Sequence, residues 1–183
     1  MGEVLVRVEA APINPGDLGL LLGPADLSTL RSENGRTTAR VPLAALPSMA
    51  GRLDKPLQVG AEGAGIVIAA GPDEASQRLM GRTVAVFGGA MFAEHRIART
   101  SEVLPLPEGI SSLQGAGSFA NPLTALGMVD TMRLEGHTAL VHTAAASNLG
   151  RILNRVCLED GVQLVNVVRS SAQAETLRAE GAV

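Results

Sequence analysis

One turn in the last third of the chain combines very small residues with hydrogen-bonding side chains. Its residues are, in order, Ala144, Ala145, Ala146, Ser147, Asn148, Leu149 and Gly150. In nucleotide-binding units, such a turn lets the backbone approach a phosphate, and the helix that follows supplies N–H groups and a partial positive charge. We predict a pyrophosphate-binding turn here, with Ser147 and Asn148 as further ligands, although Gly150 alone remains of the usual three glycines. The alternative is an ordinary strand-to-helix turn kept small for packing.

A cation lies where a second nucleotide contact is expected. Arg169 follows Gly150 by nineteen positions and precedes Ser170 and Ser171. An acidic residue about 20 positions after the turn would bind the ribose 2′-hydroxyl of NAD. An arginine with neighbouring hydroxyls favours a 2′-phosphate instead, so we predict NADPH as the cofactor. The alternative is a solvated strand end.

Other reactive side chains are few and scattered. Zinc needs three or four Cys, His or carboxylate ligands at suitable spacing, whereas Cys157 is the single cysteine and His95, His137 and His142 fall on separate elements. We therefore predict no metal site. His142 is expected to be a satisfied structural imidazole, and Cys157 a small core residue.

Composition excludes several classes of function. The net charge of −3 gives no electrostatic reason to expect nucleic acid or an anionic membrane as a partner. With no Trp and no Tyr, a tyrosine acid and a broad aromatic platform are both excluded. The apolar content of 46% argues against disorder. The start lacks a signal-peptide pattern, and one cysteine is typical of a reducing compartment, so we expect a cytoplasmic protein.

The first half of the chain has the two-residue period of β structure. Val4, Val6 and Val8 alternate with polar residues, and further short strands are predicted at 64–70, 83–87, 91–98 and 102–106. Between them, residues 14–17 favour a tight turn, with a helix from Asp17 to Leu22 capped by Asp17. Residues 24–56 show little period, so we predict a long loop with one helical turn near 25–31.

The second half changes to alternating helices and strands. Helices are predicted from Ser111, over 121–133, over 149–158 and over 171–180, with buried strands at 138–142 and 163–168. Strand, crossover helix and strand form one βαβ unit, whose strands should be parallel. Because two strands cannot cover both faces of a sheet, we expect either a second chain or, preferably, a longer parent polypeptide to complete it.

Several segments, in the right order, match one family. They are Gly2–Val8, Ile13–Asp17, Val59–Val67, Leu104–Gly109, Asn121–Ala125 and Val141–Ala145. Together they resemble the medium-chain dehydrogenase/reductases over nearly the whole chain except residues 24–56. The nearest branch is the zinc-free one of quinone oxidoreductases and enoyl reductases, in which an Asn-Pro-x-Asp turn replaces the segment with the catalytic zinc cysteine.

This resemblance implies a fold and a set of roles. A GroES-like β-barrel over 1–120 would precede an incomplete Rossmann segment over 121–183, with NADPH in the cleft and a homodimer as the complete protein. Asn14 and Asp17 would line the catalytic side, and Thr124 would approach the nicotinamide amide. The 144–150 turn would hold the pyrophosphate, with Arg169 and Ser170 facing the 2′-phosphate. Hydride would pass to a quinone or to an activated alkene or carbonyl.

The chain also departs from the family pattern. The tyrosine that usually follows the Asn-Pro-x-Asp turn is absent, and the glycine-rich turn is reduced to alanines. A non-catalytic binding or assembly module derived from such a reductase is therefore the competing interpretation. A third is a complementing fragment that needs a second chain to close its sheet.

Overall fold

The computed structural model describes residues 2–183, which divide into two compact units. The N-terminal unit ends at Ala116 and the C-terminal unit begins at Gly117. The assignment of 1–120 to a catalytic domain and of 121–183 to a nucleotide-binding domain stays a prediction. Within residues 2–183, every helix is too short or too polar to cross a lipid bilayer.

Nine strands and six α-helices follow one another along the described chain. The strands are β1 (Glu3–Ala10), β2 (Asp26–Glu33), β3 (Arg36–Arg40), β4 (Glu62–Ala70), β5 (Thr83–Phe87), β6 (His95–Arg99), β7 (Val103–Pro105), β8 (Ala139–His142) and β9 (Gln163–Asn166). The α-helices are α1 (Pro15–Leu21), α2 (Glu74–Gln77), α3 (Ser112–Gly115), α4 (Ala120–Leu134), α5 (Asn148–Asp160) and α6 (Ser171–Ala179). Two 3₁₀-helices cover Leu43–Met49 and Thr100–Glu102.

The N-terminal unit is built on one antiparallel sheet with the strand order β6-β1-β4-β5-β7. Because side chains alternate between the faces of a strand, Val4 and Val6 of β1 meet Val84 and Val86 of β5 in one buried cluster that also contains Met91. β4 lies at the centre of this sheet, paired with β1 and β5. Its Gly65 approaches the Arg7 backbone so closely that a Cβ would collide with the Arg7 carbonyl.

Residues 24–56 do not form the predicted loop, and no helical turn lies at 25–31. β2 and β3 form an antiparallel hairpin there. Its turn is Asn34-Gly35, in which both residues have positive φ, 50° and 73°. This dipeptide is a strong hairpin signal, but the strands on either side are mostly exposed and polar on both faces. An apolar alternation, on which the sequence prediction depended, is therefore missing.

Two further boundaries differ from the sequence prediction. The helix α1 begins at Pro15 with Asn14 as its N-cap, so residues 14–17 open a helix and Asp17 lies inside its first turn. Proline at the first helical position has the φ that a helix needs. The predicted strand over 91–98 begins only at His95, because Met91 and Phe92 donate their N–H groups to the carbonyls of Gly60 and Val59 instead.

The C-terminal unit is the predicted βαβ arrangement. β8 and β9 pair in parallel, with Leu140 opposite Leu164 and His142 opposite Asn166. The helix α5 connects them and packs against α4 through a core of Ala125, Val129, Leu153 and Cys157. These elements confirm the predicted helices and strand direction, and Cys157 is buried in the core as expected. The prediction that both strands are buried is wrong, because one face of the two-stranded sheet is uncovered and leaves Val141 and Val165 exposed.

His142 is buried as predicted, but it is not fully satisfied. Its Nδ1 atom has no hydrogen-bond partner among the residues that the structure describes. The sequence could not reveal this, because the partners of an imidazole depend on the side chains that the neighbouring elements bring to it.

Candidate functional site

The turn after β8 and the start of α5 form the first part of the candidate site. Ser147 is the N-cap of α5, and its hydroxyl accepts a hydrogen bond from the N–H of Gly150 at 3.1 Å. Asn148 and Leu149 occupy the first two helical positions, where N–H groups have no acceptor inside the helix. The turn therefore presents two N–H donors and the positive end of a thirteen-residue helix to an anion.

Gly150 fixes how closely the helix approaches the turn. A Cβ built on Gly150 would lie 2.6 Å from the carbonyl carbon of Ala145 and 2.7 Å from the carbonyl oxygen of Ala144. These are backbone atoms, which cannot rotate away as a side chain can. The single glycine that the turn retains therefore supplies the close helix–strand packing that one of the usual three glycines provides.

The segment after β9 forms the other side of the same hollow. The hollow has a volume of about 220 Å³ and is lined by Thr143, Ala144, Ala145, Ala146, Ser147, Val167, Val168, Arg169 and Gln173. Arg169 donates its backbone N–H to Gln173 Oε1 at 3.0 Å. Its side chain is exposed, and within residues 2–183 its guanidinium has neither an ion-pair nor a hydrogen-bond partner.

The structure brings together most of the residues predicted for cofactor binding. Ala145, Ala146, Ser147 and Arg169 line the hollow, while Asn148, Leu149 and Gly150 form the adjoining first turn of α5. Ser170 borders it as the N-cap of α6, its hydroxyl accepting the N–H of Gln173 at 3.4 Å. Helix N–H groups and an unpartnered guanidinium are the donor set that a phosphorylated ligand requires.

Thr124 lies apart from this hollow. Its hydroxyl donates to the Ala120 carbonyl oxygen at 2.6 Å, one turn earlier in α4. It lines a different hollow of about 450 Å³, formed chiefly by α4 and the start of β8. The predicted contact of Thr124 with a nicotinamide amide stays a prediction.

Asn14 and Asp17 meet in the N-terminal unit. The Asp17 carboxylate accepts the N–H of Asn14 at 2.8 Å and the N–H of Ala61 at 2.9 Å. Asn14 donates its carboxamide N–H to Glu62 Oε1 at 3.1 Å. Asp17 and Glu62 are both almost completely buried, at 1% and 0% exposure, whereas Asn14 is half-buried.

Glu62 was missed by the sequence prediction. It opens β4, whose other residues, from Gly63 to Ala70, are all glycine or apolar. A lone carboxylate inside a buried strand is rare unless it has a partner. The acidic residue in an otherwise apolar strand was therefore the one feature of the sequence that could have pointed to Glu62. Its partner Asn14 lies 48 positions away, which no local pattern reveals.

One ion pair and one side-chain amide connect α5, the helix after the turn, to the end of α6. Arg151 on α5 binds Glu180, with its Nε 2.7 Å from Oε1, and this bond holds the pKa of the Glu180 carboxyl below its usual range. Asn154 on the same helix donates to the Glu180 backbone carbonyl at 3.3 Å. These contacts fix α5 against the residues that end α6.

Side chains of the types that bind metals are scattered over residues 2–183. Across the described chain, from residue 2 to residue 183, His, Cys, Asp and Glu side chains form no group of three that could hold a metal ion. Burial, followed by the charge of Asp160, raises the pKa of the Cys157 thiol above its ordinary value. The Cys157 thiol therefore ionises less readily than a free thiol.

Comparison with known families decides where the chain belongs. Residues 1–108 match the alcohol dehydrogenase GroES-like domain, which is more than half of the chain. The chain belongs to the alcohol dehydrogenase GroES-like domain family. This membership confirms the GroES-like part of the predicted fold class, and the parallel pairing of β8 and β9 across α5 agrees with the Rossmann-type βαβ segment predicted after it.

Relatives with curated descriptions belong to one activity class. A mitochondrial enoyl-[acyl-carrier-protein] reductase of Bos taurus is 28% identical over 184 residues, covering 96% of this chain and 41% of that protein. The Caenorhabditis elegans protein of the same name is 27% identical and covers 96% and 44%. The chain therefore spans less than half the length of these relatives.

Solved structures place the fold in the same branch. A putative NADPH:quinone reductase from Mesorhizobium loti has 29% identity and a TM-score of 0.71, covering 98% of this chain and 46% of that one. One from Bacillus thuringiensis has 25% identity and a TM-score of 0.70, covering 99% and 48%. These matches confirm the medium-chain dehydrogenase/reductase superfamily and its quinone oxidoreductase and enoyl reductase branch.

Proposed function

We propose that this chain carries the barrel and the phosphate-binding part of an NADPH-dependent, zinc-independent oxidoreductase. The reaction would transfer hydride to a quinone or to an activated alkene or carbonyl. Because the chain covers only 41–48% of the first relatives and structures, this activity is proposed for the protein as a whole.

The hollow in the C-terminal unit is the observation that carries the proposal. It joins the N-terminus of α5 to a guanidinium that has no partner in the described chain. A helix N-terminus alone favours any anion. Together with a cation beyond β9, it fits a ligand with two separated phosphate groups. NADPH has that arrangement, and a quinone oxidoreductase from Thermus thermophilus with the same fold has been solved in complex with NADPH.

Each residue then has a separate role in binding. The N–H groups of Asn148 and Leu149 would hold the pyrophosphate, and Ala145 and Ala146 would keep the turn narrow enough for its approach. Arg169 and Ser170 would hold the 2′-phosphate. NADPH supplies a hydride when it is bound, and the protein's contribution is to fix the place of donor and acceptor.

An acceptor that needs no tyrosine acid from this chain fits best, because the chain has none. A quinone fits this requirement, since its reduced oxygens can take protons from water. On the N-terminal unit, Asn14 and Asp17 would lie on the acceptor side, as in the family. Thr124 would contact the nicotinamide amide.

Titration of the 183-residue chain with NADPH and NADH tests the cofactor assignment. Because the chain lacks Trp and Tyr, the fluorescence anisotropy of the nicotinamide is the signal. We expect NADPH to bind below about 100 μM, or roughly 5.5 kcal/mol, and NADH to bind more weakly. The variant Arg169→Ala should lose about tenfold in NADPH affinity, since one charge-assisted contact at an exposed site contributes on the order of 1.4 kcal/mol.

The matched control is Arg155→Ala, which removes an equally exposed arginine from the middle of α5. It should leave the NADPH affinity unchanged. Equal losses in the two variants would indicate only a general loss of positive charge, and Arg169 would not be a 2′-phosphate ligand.

Activity of a longer parent protein tests the reaction class. We expect NADPH oxidation with a quinone or enone in a panel of acceptors, and light scattering should show a homodimer. NADPH binding with no turnover of any acceptor would favour the non-catalytic binding or assembly module.

A further inference from the structure

The contacts around Asn14 go beyond the role that the family resemblance gives to it. Asp17 was predicted on the catalytic side, but both oxygens of its carboxylate accept backbone N–H groups, from Asn14 and Ala61. Its exposure is 1%. A buried carboxylate that holds a backbone N–H on each oxygen is placed to fix the chain around it rather than to contact a substrate.

Glu62 constrains the same asparagine from the other side. A carboxylate can only accept hydrogen bonds, so the Asn14 atom at 3.1 Å from Glu62 Oε1 must be the amide nitrogen. The contact therefore decides which way the carboxamide is turned, a choice that is otherwise nearly equal in energy. Glu62 is itself fully buried in β4, where it pairs with Phe87 of β5.

We propose that Asp17 and Glu62 are positioning residues, which together fix the place and the orientation of the Asn14 carboxamide. The Asp17 carboxylate links the backbone N–H of Asn14 to that of Ala61. The neighbouring residue, Glu62, accepts a hydrogen bond from the Asn14 side chain. Asn14 is the half-buried member of the three and remains able to contact a ligand. The link to catalysis rests on the proposed function, whereas the fixed carboxamide can be tested on the chain itself.

The first test follows the side-chain NH₂ group of Asn14 by ¹⁵N–¹H NMR, with Asn14→Ala to assign it. In the wild-type chain we expect one pair of resonances with slow hydrogen exchange. Glu62→Gln keeps the shape of the side chain, but the new carboxamide can donate as well as accept. Hydrogen exchange of the Asn14 NH₂ group should then become about tenfold faster, as expected when the net stabilisation by one hydrogen bond is lost. Glu74→Gln, at an exposed carboxylate ion-paired with Arg78, is the matched control and should change nothing.

The second test reverses the polarity of the pair. Asn14→Asp would place two carboxylates in contact and should lower the unfolding midpoint. Glu62→Gln added to Asn14→Asp restores a donor–acceptor pair, so the double variant should recover most of this loss. Where reductase activity is present, the recovered double variant should still have kcat lowered, by about a hundredfold for a misplaced catalytic contact, with KM nearly unchanged.

The outcomes separate this inference from the proposed function. Equal exchange of the Asn14 amide in wild type and Glu62→Gln, or no recovery in the double variant, would overturn the fixed carboxamide. Recovery of full kcat together with stability would show a structural contact only and overturn the positioning role. A wild-type protein that reduces no acceptor would refute the proposed function, while the exchange data would still decide whether the carboxamide is fixed.

Discussion

Gly150 is the position at which the structure makes its sharpest energetic prediction. The residue lies in the first turn of α5, three positions after the Ser147 cap. Replacing it with alanine adds one methyl group at a point where the helix touches the backbone of the preceding turn. The substitution therefore tests whether the small-residue turn is required for packing of the candidate phosphate site.

The size of the effect follows from the distances. The added carbon would lie 2.6 Å from the Ala145 carbonyl carbon and 2.7 Å from the Ala144 oxygen, whereas ordinary contacts begin at 3.4 Å. Either the turn or the helix start must move by roughly an ångström, and such overpacking costs about 1–3 kcal/mol. Alanine in place of glycine also stabilises a helix by up to about 1 kcal/mol. Subtracting the helix gain from the cost of the clash leaves an expected net loss of up to roughly 2 kcal/mol.

Gly127 provides a matched control inside α4 of the same unit. A Cβ built there meets no atom of the described chain within 4 Å, so Gly127→Ala has the helix gain without the clash. Because both variants share that gain, the difference between their free energies of unfolding isolates the cost of the clash. Urea denaturation followed by circular dichroism at 222 nm measures it, since the three longest helices all belong to the C-terminal unit.

Gly150→Ala should therefore have a lower free energy of unfolding than Gly127→Ala, by the roughly 1–3 kcal/mol that the clash costs. Gly150→Ala should also weaken NADPH binding, because displacing the turn moves the Asn148 and Leu149 N–H groups. If Gly150→Ala were as stable as Gly127→Ala, the close contact between α5 and the turn would not be the reason for glycine at this position, and the packing argument would be refuted.

Three other perturbations should have defined outcomes. Cys157 should react slowly with a thiol reagent until the chain unfolds. Because burial raises the pKa of its thiol, folding stability should fall as the pH rises above the ordinary thiol pKa. Cys157→Ala should remove this loss of stability. Asp73 accepts hydrogen bonds from the hydroxyl and the N–H of Ser76, which lower the pKa of its carboxyl. Its contribution to folding stability is present above about pH 4 and is lost as the pH falls through the lowered pKa. Asp73→Asn should therefore flatten the acid limb of a stability–pH curve. Replacing the hairpin 26–40 with a short linker should leave the thermal unfolding midpoint nearly unchanged, since no hairpin residue belongs to the buried cluster of the N-terminal unit; a large drop would show that the hairpin supports the core.

The sequence predicts elements well wherever one face is buried and the other exposed. The stripe of Leu149, Ile152, Leu153 and Val156 identified α5, and the alternating valines identified β1. Such patterns reflect burial directly, because the side chains on the buried face are apolar and recur with the period of the helix or strand. The hairpin of β2 and β3 has no buried face, so it escaped detection although its Asn34-Gly35 turn was visible in the sequence.

Caps were harder to predict because two neighbouring residues compete for one role. Asn14 and Asp17 are both residue types that form good N-caps, and the sequence prediction assigned the cap to Asp17. Pro15 resolves the competition, since its fixed φ suits the first position inside a helix. Asp17 then falls at the third position, where its carboxylate accepts the N–H of the true cap.

The two halves of the candidate site differ in how far the sequence could reveal them. The phosphate turn and Arg169 are close along the chain and joined by one βαβ unit, so spacing alone places them at the same end of two parallel strands. The group of Asn14, Asp17 and Glu62 instead joins segments 44 and 48 positions apart, across an antiparallel sheet whose register no local pattern specifies. Side-chain hydrogen bonds of this range depend on strand pairing first. For that reason the buried carboxylate of Glu62 could be noticed in the sequence as unusual, but its effect on Asn14 could be assigned only once β1, β4 and α1 were in place.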